Sequence, residues 1–189
     1  FVYVPSFKDV FKNNKKSKIV INKKYKILCA KFRKGHFEGV LDVMNRLTKL
    51  VNPKKIFMGK KDFQQLYLVK NYLKNRYKVK VIACKTIRDK NKVALSSRNY
   101  LLKKSELNIA SSLAKKIIHL KKNLKAKKNL ANLKSLLIKN KKKIENILKI
   151  KIEYLELINI KNLKNSKTIK NSRLFISYYI GNVRLIDNF

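Results

Sequence analysis

With 189 residues, 45% of them hydrophobic and 10% aromatic, and only Gly 4 and Pro 2 to interrupt them, the chain has material for one sizeable domain or a medium and a small one. That composition excludes a disordered or low-complexity protein. Lys+Arg 49 against Asp+Glu 10 gives a formal charge of +39, which alone points to nucleic acid or an anionic membrane surface. The lysines are spread along the whole chain beside abundant Asn and Ile, so A/T-rich coding accounts for the excess without a selected basic surface.

The first residue is Phe1, not Met, and Phe1-Val-Tyr-Val reads as a strand already under way, so a fragment is expected. Pro5-Ser6 turns this strand into a short helical segment around Phe7 to Phe11. After a Lys/Asn loop comes a short apolar run, Tyr25 to Ala30. From Gly39, Val40, Met44, Leu47 and Val51, with Val43 and Leu50 beside them, fall on one helical face. Asn52-Pro53 ends that helix. Ile56-Phe57-Met58 is a short buried strand ending at Gly59. A helix on Phe63, Leu66, Val69 and Leu73 follows, then a strand on Val79, Val81 and Ile82. Strand, helix, strand in so few residues predicts a βαβ unit and a parallel sheet, with ligands at the strand C-termini.

Beyond residue 100 the pattern predicts a helix on Ile109, Leu113 and Ile117 with Ala110, Ala114 and Ile118, then a basic linker, Lys121 to Lys128. A second helix runs through Leu133, Leu137, Ile144 and Leu148. Ile150, Ile152 and Tyr154 alternate with Lys151 and Glu153 as in a strand; so do Leu174, Ile176, Tyr178 and Ile180. Gly181-Asn182 is a two-residue hairpin turn returning through Val183 and Leu185. The division expected is 1–95, an α/β ligand-binding domain, and 96–189, a small α+β domain.

Cys29 and Cys84 sit in apolar stretches without metal-like spacing and are expected as reduced core residues, in keeping with a cytoplasmic setting. No apolar run approaches the roughly 18 residues of a membrane span, and no signal peptide is visible.

Three segments could carry chemistry. In Gly59-Lys60-Lys61-Asp62-Phe63-Gln64-Gln65, a glycine at a strand end admits a ligand close to the backbone. The helix N-terminus behind it and Lys61 suit phosphate. Asp62 is either a ligand for Mg²⁺ or ribose hydroxyls or simply an N-cap, and Gln65 is either a substrate contact or a solvated side chain. In Leu95-Ser96-Ser97-Arg98, two hydroxyls and a guanidinium form either a polyphosphate clamp or a turn into the next helix. In Gly35-His36-Phe37-Glu38-Gly39 the histidine has no paired carboxylate or nucleophile and reads as an orienting group; His119 lies on a Lys-rich, solvated helix.

Taken in order, Val4-Pro5-Ser6, Gly35-His36-Phe37 with Gly39-Val40, Gly59 with Lys61 to Leu66, Ile87-Arg88, Ala94 to Leu101 and Arg184 to Asn188 resemble the pantothenate synthetase family, the pantoate–β-alanine ligases. The resemblance implies a partial Rossmann-like nucleotidyltransferase domain, a small C-terminal domain and a cytoplasmic homodimer. It implies adenylation of pantoate by Mg²⁺-ATP with release of pyrophosphate, then attack by β-alanine and loss of AMP. It implies ATP contacts at Gly59, Lys60, Lys61, Asp62, Ile87 (to adenine), Leu95, Ser96, Ser97 and Arg98, and a pantoate contact at Gln65. The chain departs from the family at Lys34 (Pro in the family), Lys60 (Glu) and Asn91-Lys92 (Asp-Gly). The family's His-x-Gly-His segment, whose second His is its catalytic acid, has no counterpart in these residues, so no catalytic residue is expected here and the chain by itself is expected to turn over poorly. The alternatives are a truncated, inactive remnant of the enzyme and, behind it, a basic nucleic-acid-binding protein without a zinc, RRM or KH pattern.

Overall fold

In a computed structural model, Lys55–Gly59 (β1) and Lys80–Cys84 (β2) pair in parallel, from Lys55 opposite Lys80 to Gly59 opposite Cys84. Residues 2–11, 19–126 and 132–189 are described. They fall into two compact units, Phe1–Cys84 and Lys85–Phe189. The division therefore lies just after β2, ahead of the change in sequence character near residue 95.

In the first unit, β1 and β2 are joined by the helix Phe63–Lys74 (α4), which gives the expected βαβ connection. The buried positions Leu66, Val69 and Leu73 recur every three or four residues, and Val69 and Leu73 are wholly enclosed. Before it come the helical turns Phe7–Val10 (α1) and Cys29–Phe32 (α2) and the long helix His36–Val51 (α3). Ser6 caps α1 with a reciprocal box: Asp9 N–H donates to Ser6 Oγ at 3.3 Å and Ser6 N–H to Asp9 Oδ2 at 2.7 Å. Asn52, in the left-handed region at φ +46°, ends α3, and Pro53 follows.

Four expectations are corrected here. Val2 to Val4 form no strand, because no described segment supplies a ladder partner; Phe1 lies outside the described residues. α3 begins at His36, and its fully buried side chains are Phe37, Leu41, Asp42 and Thr48. Val40, Val43, Met44 and Leu47 are only half-buried, and Leu50 and Val51 are exposed. The apolar pattern located the helix but placed its inner face about one position off. β1 is half-buried, not buried: alternation turns Ile56 and Met58 one way and leaves Phe57 on the other face, 65% exposed. Cys29 is buried as expected, but Cys84, at the end of β2, is exposed; neither forms a disulfide.

The second unit is a three-stranded antiparallel sheet, ordered Lys151–Asn159 (β3), Ser172–Ile180 (β4) and Val183–Asn188 (β5), with the helices Lys104–Ala126 (α5) and Leu133–Leu148 (α6). Leu113, Ile117, Leu124, Leu137 and Ile144 from the helices form one apolar core with Ile152, Leu174, Ile176 and Ile180 from the sheet. The turn between β4 and β5 is the predicted two-residue one, with Ile180 opposite Val183. Gly181 there has φ +54°, and a Cβ would come within 3.2 Å of Glu106 Oε1, so both conformation and space favour glycine. Residues Lys121 to Ala126 are not a linker. The stripe Ile117, Leu120, Leu124 carries α5 through the lysines, while Lys127 and Lys128 lie outside the described residues. In β3 the register shifts between Ile152 and Tyr154, and the simple alternation stops there: Tyr154 and Leu155 are both buried.

Candidate active site

At the end of β1 the chain passes through Gly59, makes a 3₁₀ turn, Lys60–Asp62, and enters α4 at Phe63. Gly59 has an ordinary extended conformation (φ −69°, ψ 136°), and a Cβ there would meet nothing within 4 Å. Neither backbone strain nor packing within the chain calls for glycine, so the open space above it is free for a ligand. Asp62 stands at the N-cap of α4, but its side chain accepts no hydrogen bond from the helix. Its carboxylate is half exposed, with Lys61 Nζ at 3.9 Å. The simple capping reading of Asp62 is thereby removed. Gln65 is half-buried on the first turn of α4. The segment brings Gly59, Lys60, Lys61, Asp62 and Gln65 together on one strand-turn-helix.

The adjoining Gln64 has a different job. Buried, it donates from Nε2 to the carbonyls of Tyr25 (3.1 Å) and Ile27 (2.8 Å), tying the Tyr25–Ala30 segment to α4. Beyond their position on the helix, nothing in the local pattern tells the two glutamines apart.

In the second unit, Ile87 to Leu95 fold back as a tight hairpin. Arg88 bridges Ala94, Leu95 N–H donates to Ile87 C=O at 3.0 Å, and Asp89 N–H to Val93 C=O at 2.9 Å. Asp89 Oδ1 accepts from the N–H groups of Asn91 (2.9 Å) and Val93 (2.8 Å), an Asx turn that closes the loop. Lys92 sits at its tip with φ +72°. The chain then enters a 3₁₀ turn, Ser97–Leu101, capped by Ser96, whose Oγ accepts from Arg98 N–H at 3.3 Å. Asn99 Nδ2 donates back to Ala94 C=O at 3.0 Å, and Arg98 Nη1 donates to Arg184 C=O on β5 at 2.9 Å. Leu95, Ser97 and Arg98 are exposed and Ser96 half-buried, so two hydroxyls and a guanidinium are presented to solvent on one turn. Ile87, Leu95, Ser96, Ser97 and Arg98 therefore form a single structural feature.

Sequence reasoning quoted Arg88 and Asp187 but gave neither a role. They make a forked ion pair, Nη1 to Oδ2 at 2.7 Å and Nη2 to Oδ1 at 2.9 Å, with Arg88 also donating to Lys92 C=O (2.9 Å) and Asn188 C=O (3.2 Å). A second pair crosses the sheet, Arg184 to Glu153, with Tyr179 O–H donating to the same carboxylate at 3.3 Å. Burial pushes the Glu153 carboxyl up, but the hydrogen bond and charge of Arg184 prevail and hold it below the usual carboxylate range. Burial, then the charge of Asp187, pushes the Tyr178 hydroxyl well above its ordinary value.

His36 opens α3 after Gly35, whose φ of +76° favours glycine. Its Nε2 takes a hydrogen bond from Arg33 Nη1 at 2.8 Å, and its ring lies against Phe37. His119 is exposed beside Asn123. Among the described residues no cluster of three or more His, Cys, Asp and Glu could hold a metal, and no helix is long and apolar enough to cross a membrane.

The family profile described as pantoate-beta-alanine ligase matches residues 1–189. The chain belongs to the pantoate–β-alanine ligase family. It is 32% identical over 190 residues to the pantothenate synthetase of Sulfurihydrogenibium sp. (strain YO3AOP1), covering 100% of this chain and 68% of that protein. The fold matches the crystal structure of pantothenate synthetase from Thermus thermophilus with a TM-score of 0.86 at 24% identity, over 98% of this chain and 67% of that one. A pantoate-beta-alanine ligase from Francisella tularensis, crystallised with beta-gamma ATP and beta-alanine, matches with a TM-score of 0.72 at 31% identity, over 96% of this chain and 61% of that one. The chain thus spans about two thirds of the length of these relatives. Family membership carries the expected reaction class, a ligase forming a C–N bond in pantothenate biosynthesis, and the mixed α/β fold with a small antiparallel domain is the family's.

Proposed function

We propose that this chain carries the ATP-handling residues of a pantoate–β-alanine ligase. In this reaction the pantoate carboxylate attacks the α-phosphorus of ATP, pyrophosphate leaves, and the amine of β-alanine then displaces AMP from pantoyl adenylate. A carboxylate is a poor electrophile, and adenylation supplies a good leaving group. What the protein adds is positioning and stabilisation of charge as pyrophosphate departs.

The observation that carries this reading is the Ser96–Arg98 turn. It displays two hydroxyls and a guanidinium held in place by Arg184 C=O, a fixed cation with donors beside it. Ile87, one residue before the anchored Arg88, is the adenine contact, and Leu95 is bonded to it across the hairpin. In the first unit, Gly59 leaves room for the nucleotide, Lys60 and Lys61 add positive charge, and Gln65 takes pantoate. Mg²⁺ fits as an ion brought with the nucleotide and held mainly by its phosphates, since such sites need only one or two carboxylates. Asp62, half exposed and not engaged as a cap, is the carboxylate available for it. The bound ion would neutralise phosphate charge. The reading extends to a cytoplasmic homodimer on the family resemblance alone.

Titration of Mg²⁺-ATP into the purified chain tests it. Arg98→Ala and Lys61→Ala should each weaken binding about tenfold, the scale of a lost charged hydrogen bond, while Lys125→Ala, on the exposed part of α5, should leave it unchanged. Equal losses in all three would reduce the interaction to unspecific charge.

A further inference from the structure

We propose that Asp187, acting through Arg88, is a positioning residue for the phosphate clamp, so that β5 sets nucleotide affinity. The proposal rests on the reading of Ser96–Arg98 as that clamp. The hairpin Ile87–Leu95 is closed by its own hydrogen bonds, but these fix only its internal shape. Its orientation comes from outside. Arg88 is gripped by both oxygens of Asp187, by Asn188 C=O and by the ring of Phe189, 4.4 Å from the guanidinium carbon; Ser111 Oγ on α5 donates to Asn91 C=O at 3.0 Å.

The clamp itself touches the same strand, through Arg98 Nη1 and Arg184 C=O. β5 therefore holds the segment at two points, one on each side of Ala94. Asp187 is buried, and the fork fixes Arg88 in two directions, as a single contact could not. Ile87 precedes Arg88 directly and bonds Leu95, so a tilt at Arg88 moves the proposed adenine contact and the first residue of the clamp together. Misplacement of binding groups by about 1 Å can cost on the order of a hundredfold in function.

The test uses the full chain with Asp187→Asn, Arg88→Lys, Leu137→Ala and the Arg98→Ala/Asp187→Asn double variant, each titrated with Mg²⁺-ATP and melted. Asp187→Asn should weaken ATP about tenfold, and Arg88→Lys, which keeps the charge and loses the fork, should weaken it as well. Leu137→Ala removes a buried α6 side chain from the core and should lower the melting temperature without changing ATP affinity. In the Arg98→Ala background Asp187→Asn should add less than its full tenfold, since part of its effect passes through the clamp that Arg98 belongs to. Wild-type affinity in Asp187→Asn, or full additivity in the double variant, overturns the positioning role while leaving the nucleotide reading intact. No ATP binding by the unaltered chain overturns both. Should neither Asp187→Asn nor Arg88→Lys fold, amide exchange on the unaltered chain decides the matter. ATP protecting 87–99 and 184–188 together supports the proposal, and protection of 87–99 alone overturns it.

Discussion

Lys92 shows how a single residue can be visible as an anomaly in the sequence and explicable only in three dimensions. The family resemblance puts glycine at this position, and the structure supplies the reason: φ is +72°, a region that costs a residue with a Cβ roughly 1–2 kcal/mol. The loop keeps its shape because Asp89 binds the N–H groups of Asn91 and Val93 and because Arg88 holds Lys92 C=O. Lys92→Gly should therefore raise unfolding stability by about 0.5–1 kcal/mol, part of the relief being offset by glycine's greater freedom in the unfolded chain. Urea denaturation of the two proteins measures it; an unchanged or lower midpoint would mean that the turn carries no such strain. The role of Gln64 was beyond the sequence for another reason. A buried amide bonded to carbonyls of a segment 37 and 39 residues away leaves no local pattern.

At the scale of elements, periodicity located the helices, although in α3 it set the inner face about one position off. The βαβ unit, α6 and the β4–β5 turn all follow from local spacing and from glycine. Reading failed where charge outvoted spacing, as at Lys121–Ala126, and where a bulge or a missing neighbour broke alternation, as in β3 and at Phe57. The core of the second unit carries a direct test: Ile117→Ala, at a wholly enclosed position facing the sheet, should cost about 2–5 kcal/mol in urea denaturation. The Glu153–Arg184 pair ties β3 to β5, and Tyr179 adds β4. Because the folded carboxyl lies below its unfolded value, near 4.3, the unfolded state takes up the proton first as pH falls. The stabilisation is complete above that value and is lost as pH drops through the folded one. Urea midpoints measured from pH 7 to pH 3 should fall in this acid window, and Glu153→Gln should flatten the decline.

For the whole molecule, a charge of +39 on 189 residues sets up self-repulsion that neither unit can relieve with ten acids. Raising NaCl from about 0.02 to 0.5 M shortens the Debye length several-fold and should raise the melting temperature; a fall would show that attractive ion pairs dominate. The candidate site was legible as motifs in order, because ligand chemistry restricts residue types locally. Its scaffolding was not, because Arg88 and Asp187 are separated by 99 positions and nothing in either segment names the other. That separation also bears on the order of assembly. The β4–β5 turn closes over two residues, whereas the Arg88–Asp187 fork closes nearly the whole second unit, and contacts across long loops carry a larger entropy cost before they form. In refolding experiments Gly181→Ala should slow the folding arm, while Asp187→Asn should chiefly quicken unfolding. A ribosome-bound chain would then complete its grip on ATP only once β5 has emerged.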